Sequence, residues 1–157
     1  MQGSLRLAVG LALTLSVASG SAAQTLDKKV LSLEAAMTVA RAAQTAARAK
    51  GVGVVIAVVD DGGHLILLHR LDDTQVASVN VGIGKARTAA IYRRPSRDFE
   101  EQIKNGRVAA LALADSTPLQ GGIPIKLDGK VIGAIGVSGD TPQVDEAIAI
   151  AGASAFK

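Results

Sequence analysis

Residues 123–137 read IPIKLDGKVIGAIGV. Two apolar runs, Ile123 to Leu127 and Lys130 to Val137, flank Asp128-Gly129. That dipeptide suits both central positions of a two-residue hairpin turn, where φ must be positive. Gly133 and Gly136 inside the second run imply a bulge or a close backbone approach. A hairpin demands antiparallel pairing, so the chain builds one sheet with helices packed on it. Upstream, Val54 to Val59 is an unbroken aliphatic run, rich in β-branched residues, of the kind that is covered on both faces. Asp60-Asp61-Gly62-Gly63 is a turn cluster, and His64 to Leu71 resumes as a strand, giving a second hairpin.

Helices fill the remainder. Ser32 is a good N-cap for a helix with apolar residues at Leu33, Ala36, Met37, Ala40, Ala43 and Ala47, and Gly51 stops it. A second helix is expected from a Thr74 cap to about Arg94, where Pro95 ends it. Ser78, Gly82, Ala86 and Ala90 recur along it every fourth residue as a ridge of small side chains. Each helical glycine costs roughly 1 kcal/mol against alanine. The ridge therefore calls for a close neighbour, either another element or a flat ligand. Ser96 restarts a helix that Asn105-Gly106 ends, and Arg107 to Ala114 reads as a further helix. Thr141 and Pro142 open a last helix running to about Phe156. Hairpins with helices around them make an α+β domain.

Composition excludes several functions. The 157 residues are 48% hydrophobic and 2% aromatic, with a net charge of +3. That balance is too neutral for a nucleic-acid binder, and base-stacking aromatics are nearly absent. With no cysteine there is no disulfide framework, thiolate nucleophile or zinc finger. Residues 1–23 read as a cleavable signal peptide: Arg6, an apolar core from Leu7 to Val17, and small Ser21 and Ala23 before a cut at Gln24. The apolar core is too short to span a bilayer. The expectation is a single domain over 24–157, periplasmic or secreted, with no transmembrane segment in the mature chain.

Motifs for chemistry are sparse. Gly82-Ile83-Gly84-Lys85 lacks the second half of a phosphate loop, and Gly136-Val137-Ser138-Gly139 has the wrong spacing for a nucleophile elbow. His64 follows Gly62-Gly63, and strand alternation sets it on the face opposite His69, so the two cannot share a metal within one subunit. Lys85, Thr88 and Tyr92 fall on one helical face, with Arg87, Arg93 and Arg94 nearby. Such a face is either solvated or holds a carboxylate through charge-assisted hydrogen bonds.

One further pattern joins these pieces. Ala57-Val58-Val59-Asp60-x-Gly62-Gly63-His64-Leu65, Arg70-x-Asp72, Lys85-Ala86-Arg87-Thr88-Ala89 and Gly121-Gly122-Ile123-Pro124-Ile125 occur in order. With Asp128-Gly129, Ile132 to Gly139 and Asp145-Glu146, they resemble the GlcG/HbpS-like family from about Leu31 to Phe156. The resemblance implies a profilin-like α+β domain with a central antiparallel sheet, assembling into homo-oligomers. It implies haem or another tetrapyrrole as ligand, with His64 the candidate iron ligand and Lys85, Arg87 and Thr88 near the site. Two functions follow as expectations. One is an exported haem-binding protein that senses, scavenges or degrades haem. The alternative is a periplasmic enzyme or accessory protein acting on an organic acid, with His64 as acid–base group. The residues leave open whether there is any catalysis.

Overall fold

The computed structural model describes residues 24–157, and the expected leader at 1–23 lies outside the described residues. In chain order the elements are α1 (Leu33–Lys50), β1 (Val55–Asp60), β2 (Leu65–Arg70), α2 (Ser78–Ile91), α3 (Arg97–Lys104), a 3-10 turn (Val108–Ala112), β3 (Gly122–Leu127), β4 (Lys130–Ser138) and α4 (Pro142–Ala153). The four strands form one antiparallel sheet in the order β2-β1-β4-β3. This is the α+β architecture expected from the two hairpins. Asp128 at φ 50° and Gly129 at φ 76° make the tight turn between β3 and β4.

Helices cover both faces of the sheet. On one face α1 and α4 bury Val39, Ala43, Ile56, Val58, Ile135 and Ile148 in the main core. On the other, α2 lies across β1 and β4 over a smaller cluster of Ala57, Val59, Ala86, Ala89, Ala90 and Ala134. The ridge of small residues finds its close neighbour here, and it is the sheet. A Cβ on Gly82 would stand 3.0 Å from Val55 Cγ1. A Cβ on Gly136 would stand 2.5 Å from the Ala86 nitrogen and overlap the Gly82 carbonyl. The two glycines let helix and strand meet backbone to backbone.

Several boundaries differ from the sequence expectation. Helix α2 begins at Ser78 rather than after Thr74, because the Thr74 hydroxyl donates to the Leu71 carbonyl (2.6 Å) within a turn. It ends at Ile91, and Arg93 then turns the chain at φ 58°. Ser96 stands at the start of α3 without capping it. Its hydroxyl instead accepts from the Gly122 nitrogen at 2.8 Å and donates to the Leu119 carbonyl, joining α3 to β3. The helix expected over Arg107 to Ala114 is a short 3-10 turn, and α4 stops at Ala153. Strict alternation along β2 also fails, since a bulge opposite Val58 and Val59 packs neighbouring Ile66 and Leu67 against the same core.

The two sheet edges are unlike. Along β3, Pro124 has no N–H to offer, and the Gly122 carbonyl already accepts from Ser96 (3.0 Å). The outer edge of β2 has no backbone partner among the described residues, and Leu65 on it is 48% exposed. No helix among the described residues is long and apolar enough to cross a membrane.

Candidate functional site

The turn between β1 and β2 is built around one carboxylate. Asp60 Oδ1 accepts from the nitrogens of Gly62 (2.9 Å) and His64 (2.8 Å). The Asp60 nitrogen donates to the His64 carbonyl at 2.9 Å, and Gly63 closes the loop at φ 82°. His64 thus sits at the head of the hairpin, one residue before β2. Its side chain is 82% exposed, and Nδ1 lies 3.4 Å from Asp60 Oδ1. That arrangement leaves Nε2 facing solvent, where an imidazole can meet a metal while the carboxylate steadies the ring from behind.

Burial raises the Asp60 pKa, but the His64 N–H, the His64 charge and the Gly62 N–H outweigh it and hold the carboxyl below its ordinary 3.8. A carboxylate favoured by folding contributes fully above pH 3.8 and loses that contribution as pH falls through the lower folded value. Asp60→Ala is therefore expected to lower the urea midpoint at about pH 7, with the gap from wild type closing toward about pH 3. A gap that stays constant over that range would show the carboxylate to be idle.

The structure brings His64 and Arg87 together. Arg87 on α2 donates from Nε to the Gly63 carbonyl at 3.2 Å, and a Cβ on Gly63 would strike Arg87 Cγ at 2.7 Å. The glycine and the arginine stem dock the helix against the turn that carries the histidine.

Lys85 and Thr88 are set apart from that pair. Lys85 is 4% exposed, and its ammonium donates to Asp145 Oδ2 (2.8 Å) and to the Val137 carbonyl (3.0 Å). The carboxylate that it holds is the protein's own. Thr88 Oγ1 donates to the Gly84 carbonyl (2.8 Å) and accepts from the Thr117 nitrogen (2.7 Å). The Tyr92 hydroxyl donates to the Ala114 carbonyl at 2.7 Å. The expectation of a single presented face is corrected, because all three polar ends are used inside the fold. The helical spacing behind it is sound, but the 113–120 segment covers α2 opposite the sheet and engages the Thr88 and Tyr92 hydroxyls.

Sequence reading missed the network around Lys85. Asp145 and Glu146 stand near the start of α4, yet both are buried. Burial pushes the Asp145 carboxyl up, against the pull of Lys85 and of the Asp140 N–H (3.0 Å). Glu146 Oε2 accepts from Arg97 Nη1 (2.9 Å) and Gln120 Nε2 (2.6 Å). The one available signal was their place directly after the apolar β4, where a helix folds back onto the sheet. Among the described residues no group of three His, Asp or Glu side chains is placed to hold a metal ion.

Residues 31–154 match the family model described as "Haem degrading protein HbpS-like". Protein GlcG of Escherichia coli (strain K12) is 43% identical over 111 residues, which are 71% of this chain and 83% of that protein. The crystal structure of HbpS superposes with a TM-score of 0.79 at 30% identity, over 85% of this chain and 95% of that one. The crystal structure titled "PduOC:Heme Complex" gives a TM-score of 0.75 at 25% identity, over 82% and 96% of the two chains.

Proposed function

From the premise that the chain belongs to the HbpS-like family, we propose that it is an exported protein that binds haem or another tetrapyrrole, with His64 as the iron ligand. The observation that carries this reading is the exposed His64 imidazole on a rigid turn, with Asp60 behind Nδ1. An open imidazole braced by a carboxylate is a donor that fits haem iron. The haem complex of the PduOC neighbour supports the ligand class. Arg87 acts here as a positioning residue, holding the Gly63 carbonyl and with it the attitude of the turn. The signal-peptide pattern over 1–23 supports export to a periplasm or to the outside. The unpaired apolar edge of β2 supports assembly with further copies of the chain.

The organic-acid reading draws less support. Its carboxylate-holding cation, Lys85, is already neutralised by Asp145. Titrating the purified protein with hemin decides between them. The Soret band is expected to shift on binding, and His64→Ala is expected to weaken binding by about 100-fold. A spectrum that hemin addition leaves as free hemin would remove the haem reading. Equal affinity in His64→Ala would remove this histidine from it.

A further inference from the structure

Both hairpin turns come to one end of the sheet, because Asp60 at the end of β1 stands opposite Gly133 on β4. At that end lies a groove of about 770 Å³. It is bounded by the β3–β4 turn, by residues 26–29, by Asp61 of the β1–β2 turn and by Arg93 beyond α2. Leu26, Leu127, Val131 and Ile132 supply its apolar lining. Its walls carry five cations against three aspartates. Lys28 is taken by Asp61 at 2.7 Å. Lys29, Arg93, Lys126 and Lys130 have no ion-pair partner among the described residues.

Cations scattered on a convex face are usually just solvated. These converge on a concavity with an apolar base, whose size falls in the range of roughly 300–1,000 Å³ typical of small-molecule sites. We propose that the groove binds a flat or elongated apolar body bearing two carboxylates. The body lies along this apolar lining, and Lys126, Lys130 and Arg93 meet the acids through charge-assisted hydrogen bonds. The inference rests on the tetrapyrrole reading and deepens it by seating the macrocycle's acidic edge. The chain allows both contacts to one ligand. His64 is three chain steps beyond Asp61, a reach of at most about 11 Å.

Metal-free protoporphyrin IX is the probe, because without iron it cannot use His64 as a ligand. Its fluorescence is expected to report binding to wild type. The double variant Lys126→Glu, Lys130→Glu changes two exposed side chains on a turn, and circular dichroism checks that it keeps the fold. It is expected to bind about tenfold more weakly, with the difference shrinking as salt rises. A porphyrin without carboxylates is expected to bind wild type no better than the acid-bearing one binds the double variant. Equal protoporphyrin affinity in wild type and the double variant would overturn the groove, and hemin binding that still depended on His64 would then leave the haem reading standing alone. If wild type takes up neither hemin nor protoporphyrin, both fall together.

Discussion

Gly136→Val is expected to leave little folded protein. The side chain would enter the contact between β4 and α2, where even a single Cβ stands 2.5 Å from the Ala86 nitrogen and 2.9 Å from its Cβ. These obstacles are helix backbone and its first carbon, which have no rotamer to swing aside. Helix α2 would have to lift off the sheet, opening the cluster of Ala57, Ala86, Ala89 and Ala134. A cluster made almost wholly of alanine has no long side chains to refill the gap. Overpacking of a tight contact costs roughly 1–3 kcal/mol when neighbours can shift, and more when they cannot. A loss of about 4 kcal/mol would consume much of a typical domain's 5–15 kcal/mol. Thermal melting by circular dichroism tests this. A midpoint within a few degrees of wild type would mean that α2 slides freely, contrary to the packing described.

The second large effect is expected from Asp145→Ala. It leaves the Lys85 ammonium almost fully buried, with only the Val137 carbonyl as partner. Removing one half of a buried ion pair costs about 3–5 kcal/mol, because the surviving charge stays out of water uncompensated. Replacing both partners with apolar residues, as in Lys85→Met with Asp145→Leu, is expected to recover most of that loss. Urea unfolding of Lys85→Met, of Asp145→Leu and of the double gives the coupling. Additive losses, or a single variant within about 1 kcal/mol of wild type, would show that the pair contributes little beyond its volume.

The fold was largely legible in local chemistry. Asp128-Gly129 dictated a turn that only residues at positive φ can make, and the unbroken run from Val54 to Val59 could only be a strand covered on both faces. The Ser32 and Thr141 caps both accept the N–H expected of them, from Ala35 and Val144. Thr74 failed as a cap because its hydroxyl found a carbonyl within the preceding turn. Which of two nearby acceptors a hydroxyl takes depends on chain path rather than residue type. The same limit governed the site. His64 and Arg87 were named from pattern, and the fold sets them either side of Gly63. Lys85 carries the same charge as Arg87 two positions on, yet a rotation of about 200° along the helix turns it inward to a carboxylate 60 residues away. Nothing in local sequence marks that pairing. The basic groove was equally hidden, since its cations come from three separate segments.

The unequal edges of the sheet limit how copies can add to one another. A strand-to-strand join through β2 uses the single receptive margin of each protomer. The outer margins then left over both carry Pro124, which cannot donate, and a Gly122 carbonyl already engaged by Ser96. Were copies to join by this route, growth would stop at two chains, short of fibre-like stacking.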